Sequence, residues 1–69
     1  MNPELLKLIQ DNLDTRDKRF MFLKILYPSF VHRVDLEGAT LVFSVRLYLE
    51  FEKQNKINEL EIYIKQYLV

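Results

Sequence analysis

Apolar and polar residues alternate through the middle of the chain, from Thr40 to Glu52. The alternation places an apolar side chain at every second position: Leu41, Phe43, Val45, Leu47, Leu49 and Phe51. Because successive side chains of a strand point to opposite faces, this run predicts a long antiparallel strand. The face that carries these six side chains would be buried, with Phe43 in the core, whereas Val42 and Ser44 would point away from the core.

A second, shorter alternation precedes that run. From Phe30 to Leu36, the side chains of Phe30, His32, Val34 and Leu36 share one parity. The pattern predicts a hairpin in which residues 30–36 pair with residues 40–46. Gly38, which is the only glycine, would supply the positive φ of the turn. The partner strand is too short to reach residues 47–52, so that overhang must bend, pair elsewhere or turn helical.

Helical patterns dominate the first 27 residues. Asn2 is a suitable N-cap and Pro3 suits the first helical position, so helix 1 is predicted to begin there. A second helix is predicted to begin with Asp14 as its N-cap and to end before Pro28. This helix is apolar over most of its circumference, which is typical of a helix that is deeply packed or lies at an interface.

The last predicted element is a helix with Asn55 as its N-cap. Its apolar residues follow helical spacing: Ile57, Leu60, Ile64, Tyr67 and Leu68. Two alternatives stay open, namely a strand through residues 60–64 and a single long helix that runs from Tyr48 to the end. The resulting order is α-α-β-β-α, so the predicted fold class is α+β, a small single domain over residues 1–69 with an antiparallel hairpin packed by helices.

Composition restricts the chemistry of the chain. It has no cysteine, one histidine and one glycine, and its ten basic and ten acidic residues cancel. Thiolate metal sites, disulfides and glycine-rich phosphate loops are therefore excluded. We expect no catalytic residue, no metal, no cofactor and no small-molecule substrate, and hence a non-enzymatic protein. The absence of cysteine, of a long apolar run and of a signal-peptide pattern predicts a cytoplasmic protein that does not enter a membrane.

Protein–protein interaction is the predicted function. The overhang at residues 47–51 and the apolar second helix exceed what so small a core can cover, which predicts a homodimer or a protein partner. Aromatic side chains suit such an interface because tyrosine combines a large apolar ring with a polar hydroxyl. The predicted partner-binding residues are Phe22, Tyr48, Tyr63 and Tyr67.

Nucleic-acid binding is the alternative. Residues 16–33 contain five basic residues and one acidic residue, Asp17, a local net charge of +4. Aromatic residues lie among them, and that combination can contact phosphates and stack on bases. The predicted contacts are Arg16, Lys18, Arg19, Lys24 and Arg33. The ordinary explanation, a helix with a charged start and an apolar body, competes with this interpretation.

Overall fold

Helices alone make up the structure, a computed structural model that describes all 69 residues. The α-helices are α1 (Pro3–Asn12), α2 (Arg16–Leu26), α3 (Thr40–Lys53) and α4 (Ile57–Tyr67), and a short 3₁₀ helix covers Pro28–His32. No residue belongs to a strand. The predicted α+β fold class, and with it the small α+β domain built on a hairpin, is therefore wrong, and the chain is all-α.

The beginning of α1 agrees with its sequence. The Asn2 side chain accepts hydrogen bonds from the backbone amides of Glu4 and Leu5, and Pro3 occupies the first helical position. An N-cap of this kind satisfies amides that would otherwise lack a partner at the start of a helix. The helix turns Leu5 and Ile9, which are one turn apart, into the core.

Helix α2 begins one residue later than predicted. Thr15, not Asp14, is the N-cap, and its hydroxyl accepts from the amide of Lys18. The Asp14 carboxylate instead accepts a hydrogen bond from the Lys18 ammonium, at 2.9 Å. At the other end the prediction is confirmed, because α2 stops at Leu26 and Pro28 starts the 3₁₀ helix.

Residues 30–36 form a 3₁₀ turn and a loop where a strand was predicted. The amide of Phe30 donates to the carbonyl of Tyr27, and the amide of Arg33 donates to the carbonyl of Phe30. The buried side chains are Phe30 and Val34, whereas His32 is exposed. A strand would place His32 on the same face as Phe30 and Val34, so the exposure of His32 contradicts the predicted alternation.

Helix α3 occupies the segment that was predicted as the long strand. Its buried side chains follow helical spacing: Phe43, Ser44, Leu47, Tyr48 and Phe51. Phe43 is in the core as predicted, but Ser44 is buried too, and Leu41 is 57% exposed. The alternation wrongly indicated a strand because α3 carries apolar side chains on its outer side as well as on its buried side. Its outer valines and leucines fill the gaps in the helical pattern and produce an apparent period of two.

The end of α3 depends on Asn55, which has a left-handed φ of 58°. The amide of Lys56 donates to the carbonyl of Phe51, and the amide of Asn55 donates to the carbonyl of Glu52. These are the two hydrogen bonds of a Schellman motif. Asn55 thus ends α3 and does not cap α4, and the alternative of one helix from Tyr48 to the end is wrong. Gly38, the predicted turn residue, does not have a positive φ.

Helix α4 confirms the helical prediction for the last segment over the strand alternative. Leu60 and Ile64 are fully buried, while Ile62 between them is 57% exposed. Helices α1, α3 and α4 pack against one another, and α2 packs on the 3₁₀ helix. Thirteen buried apolar residues form the core, within a molecule that measures 23 × 21 × 21 Å.

A buried arginine links three parts of the backbone. The Arg19 side chain of α2 is only 3% exposed, and its Nε donates to the carbonyl of Leu13 at 2.8 Å. Its Nη1 donates to the carbonyls of Leu36, at 3.0 Å, and Gly38, at 2.8 Å. Its Nη2 donates to the hydroxyl of Thr40, the first residue of α3, at 2.9 Å. One guanidinium thus joins the α1–α2 turn, the loop before α3 and the start of α3.

The charge of Arg19 is balanced without a carboxylate. No acidic side chain forms an ion pair with it. Its guanidinium instead lies 4.5 Å from the centre of the Phe43 ring, close enough for a cation–π interaction. The planar guanidinium with five N–H donors suits this site, since a lysine ammonium could not reach all the acceptors at once.

The first prediction concerns Arg19. Arg19→Met removes the donors and leaves buried carbonyls without partners, at about 1–3 kcal/mol for each one that water cannot reach. We expect a loss of at least about 3 kcal/mol in the free energy of unfolding, measured by urea denaturation, and a smaller loss for Arg19→Lys. Arg16→Met, at an exposed position of the same helix, is the control. An unchanged urea midpoint for Arg19→Met would contradict the linking role.

The second prediction separates the helix from the strand. Ser44→Leu inserts a large side chain into a filled core and should cost about 1–3 kcal/mol of stability. Leu41→Ser changes an exposed position and should alter stability by less than about 1 kcal/mol. A strand with the predicted alternation requires the opposite ranking of the two variants in the same unfolding measurement.

Candidate protein-interaction surface

Two surface regions expose large apolar side chains next to one another. One is a groove between α2 and the end of α4, called the α2/α4 groove below, and the other is the outer face of α3. The groove is lined by Met21, Phe22, Ile25, Leu26, Tyr67 and Leu68, with Asp17 and Lys18 at one end. Clustered apolar exposure of this kind marks interaction sites more often than isolated exposed residues do.

The groove follows from the apolar circumference of α2. Phe22 and Leu23 turn towards the core, which leaves Met21 and Ile25, one helical turn apart, on the outside. Met21 is 53% exposed and Ile25 is 68% exposed. Tyr67, at the end of α4, is 60% exposed and forms the opposite wall. The groove is open to solvent and has a volume of about 460 Å³.

Aromatic rings connect the groove to the core. The rings of Tyr67 and Tyr63 have centroids 6.1 Å apart, and those of Tyr63 and Tyr27 are 6.0 Å apart. Tyr27 in turn packs edge-on against Phe51, with 4.8 Å between centroids. The hydroxyl of Tyr27 donates to the Glu59 carboxylate, and burial, followed by this hydrogen bond, raises the pKa of Tyr27. A continuous series of tilted and edge-to-face ring contacts thus links Tyr67, on the wall of the groove, to the core.

The predicted partner-binding residues occupy different environments. Tyr67 lines the groove and is exposed, and Phe22 forms its floor with only 4% of its surface exposed. Tyr63 is half-buried behind Tyr67. Tyr48 is buried, and its hydroxyl accepts a hydrogen bond from the amide of Asn2 at 2.9 Å, which ties α3 to the N-terminal residues. The structure therefore brings three of the four residues together and places Tyr48 in the core.

Met21 and Ile25 are the exposed apolar residues of the groove that the sequence-based prediction left out. Both lie on the apolar circumference of α2, so the signal was present in the helical pattern. Sequence alone did not show which side of that circumference would be covered by the rest of the chain. The outer face of α3 was also not predicted, because residues 40–52 were assigned to a strand.

The predicted basic cluster is dispersed and largely paired. Arg16 lies 3.2 Å from Glu37, and the Lys18 ammonium is paired with Asp14. The guanidinium of Arg33 lies 2.9 Å from the Glu50 carboxylate. The remaining two residues have other environments: Arg19 is buried, and Lys24 is exposed near the ring of Phe20, at 5.6 Å from its centroid. Only Lys24 keeps an exposed charge without a carboxylate partner.

These ion pairs lower the pKa of two carboxyl groups. The hydrogen bond from Arg33 lowers the pKa of Glu50, and the hydrogen bond from Lys18 lowers the pKa of Asp14. Glu50 is the better covered of the two, with 13% of its side chain exposed. Apart from these pairs, no group of three or more His, Asp or Glu side chains is arranged to hold a metal ion. None of the helices has the length and apolar character that a membrane span requires.

Comparison of the chain with protein-family models, with curated proteins and with solved structures gave no match in any of the three. The function is therefore inferred from the surface of the molecule itself.

The third prediction concerns acid stability. Because the folded state lowers the pKa of Glu50, the Arg33–Glu50 pair stabilises the fold fully above the unfolded pKa, about 4.3. That stabilisation is lost as the pH falls through the lower folded value. We expect Glu50→Gln to lower the urea midpoint at pH 7 and to make its decline between about pH 5 and pH 3 shallower. Glu52→Gln, at an exposed carboxylate without an ion pair, is the control. An identical pH profile for wild type and Glu50→Gln would contradict the assignment.

Proposed function

We propose that this chain is a non-enzymatic protein-interaction domain whose α2/α4 groove binds an apolar segment of another protein. The observation that carries the proposal is the exposure of Met21, Ile25 and Tyr67 around one concave, apolar surface. Leaving such a surface in water costs free energy that a partner recovers when it covers the groove.

The shape and chemistry of the groove fit a short apolar segment. Two helical walls, α2 and the end of α4, resemble the arrangement in which a peptide inserts large side chains at helical spacing. Phe22 supplies a buried aromatic floor, and Tyr67 supplies a ring with a polar hydroxyl at the edge. Asp17 and Lys18 lie at one end of the groove, where the Lys18 ammonium is already paired with Asp14. Phenylalanine, tyrosine and methionine, which form the floor and walls of the groove, are enriched at protein interfaces.

Self-association is the variant of this proposal in which the segment belongs to a second copy of the chain. The absence of cysteine fits a reducing environment, and we propose the cytoplasm as the compartment. Nucleic-acid binding by residues 16–33 has less support, since ion pairs and burial engage four of the five predicted contacts. Duplex and single-stranded DNA are therefore included as competing ligands in the test.

The fourth prediction tests the groove. Ile25→Asp places a carboxylate among apolar side chains, and we expect it to reduce capture of the bound protein from lysate about tenfold or more, equivalent to ~1.4 kcal/mol. Ile62→Asp is the matched control, because Ile62 is 57% exposed on α4 but does not line the groove. Sedimentation of the purified chain at several concentrations shows whether the bound protein is a second copy of the chain or a different protein.

Equal capture by wild type and Ile25→Asp would contradict the groove assignment. A salt-sensitive complex with DNA that is lost in Lys24→Glu, but not in Ile25→Asp, would establish the nucleic-acid alternative instead. Unfolding midpoints of both aspartate variants show whether either loss reflects a failure to fold.

A further inference from the structure

The outer face of α3 is a second apolar surface, separate from the α2/α4 groove. It is formed by Leu41, Val42, Val45 and Leu49, which line a shallow depression of about 530 Å³ together with Arg46. Leu41, Val42 and Leu49 are each about half exposed. Val42 and Leu49 lie opposite the buried side of the helix, so no other part of this chain covers them.

Cations border one side of this apolar face. Arg46 and Lys53 of α3 and Arg33 of the preceding loop line a depression beside Leu49, together with Glu50. Glu50 is already paired with Arg33. Arg46 and Lys53 form no ion pair within the chain. An apolar stripe therefore faces outwards, and along one margin Arg46 and Lys53 lie in the same depression as Glu50 without forming an ion pair with it.

We infer that the outer face of α3 binds an amphipathic helix of another protein that carries acidic residues along one margin of its apolar side. Apolar side chains of that helix would cover Val42, Val45 and Leu49. Its carboxylates would meet Arg46 and Lys53, which form no ion pair within the chain. The inference does not depend on the α2/α4 groove, which lies elsewhere and is lined by different residues.

The distribution of charge disfavours an antiparallel second copy of the chain as the occupant, and a parallel copy would offer only one carboxylate to the two cations. In an antiparallel pair of α3 helices, the two-fold axis runs perpendicular to the helices within the interface. The same margin of both copies then lies on the same side of the interface. Arg46 and Lys53 would then face the same cations of the other copy, and like charges repel. In a parallel pair, the basic margin would face the opposite margin of the copy, where α3 has only Glu52 as a carboxylate.

The dimensions of the face set the length of the partner helix. Leu41 and Leu49 are eight residues apart, or about 12 Å along the axis at ~1.5 Å per residue. Lys53 lies about 18 Å along the axis from Leu41, so a helix of about three and a half turns covers the stripe and reaches Lys53. We expect apolar residues at i, i+3 or i+4, and i+7 on that helix, with glutamate or aspartate on the side that meets Arg46.

Two synthetic peptides test the inference against the full-length chain. Both are amphipathic helices with leucines at i, i+3 and i+7, and they differ only in having glutamates or lysines along one margin. Because the net charge of the chain is zero, overall attraction favours neither peptide. We expect the glutamate peptide to bind about tenfold more tightly at low ionic strength, measured by fluorescence anisotropy.

Variants locate the binding. Arg46→Glu should lower the preference for the glutamate peptide about fivefold or more, whereas Lys24→Glu, with the same change in charge, should not. Val42→Asp should remove binding of the glutamate peptide, and Leu49→Asp provides a second variant at the same face. Ile62→Asp and Ile25→Asp should leave it unchanged. Circular dichroism confirms that each variant keeps its helices.

Several outcomes would overturn the inference. These are equal binding of the two peptides, no binding of either, or an undiminished preference in Arg46→Glu. If the chain sedimented with vesicles that contain phosphatidylserine but bound neither peptide, and if Val42→Asp abolished that sedimentation, the face would be assigned to a lipid surface. A dimer that Val42→Asp dissociates, again without peptide binding, would assign it to a second copy. Loss of peptide binding in Ile25→Asp would show that the peptide occupies the groove instead.

Discussion

The buried guanidinium of Arg19 is the interaction on which the arrangement of the helices depends. Three carbonyls and the hydroxyl of Thr40 accept its hydrogen bonds, and the ring of Phe43 lies beside it. An arginine stays charged when it is buried, so removing its acceptors would leave a charge without compensation. The loop between the 3₁₀ helix and α3 has no regular structure of its own, and Arg19 fixes two of its carbonyls. The position of α3 relative to α2 follows from that contact.

The position of α3 in turn creates the exposed apolar surface. One side of α3 supplies Phe43, Leu47 and Phe51 to the core, and the core of so short a chain has no second layer to cover the other side. Helix α2 has the same property, with Leu23 inside and Ile25 outside. The two apolar faces are therefore consequences of building a core from helices that are apolar around most of their circumference. Each face is proposed to bind a different polypeptide segment.

Charge distinguishes the two faces. The α2/α4 groove has one acidic and one basic residue at its end, so shape and apolar contact would dominate there. The α3 face has Arg46 and Lys53 on one margin, so electrostatics would select its partner. The net charge of zero gives no sign of this local asymmetry. The basic residues counted in residues 16–33 also mislead, because most of them have carboxylate neighbours in the folded chain. Charge counted along a sequence is a poor guide to charge available on a surface.

Short-range signals were enough to determine part of this protein. The cap at Asn2, the end of α2 before Pro28 and the helical stripe of α4 were predictable because each depends on residues within one or two turns. Only the tertiary structure decided that residues 40–53 are a helix, since leucines and valines on both sides satisfy a period of two as well as helical spacing. It also decided that Arg19 is buried and donates to oxygens of residues up to 21 positions away, which no pattern within one or two turns could show. Which apolar residues stay exposed was likewise undetermined, because exposure depends on how the helices pack against one another.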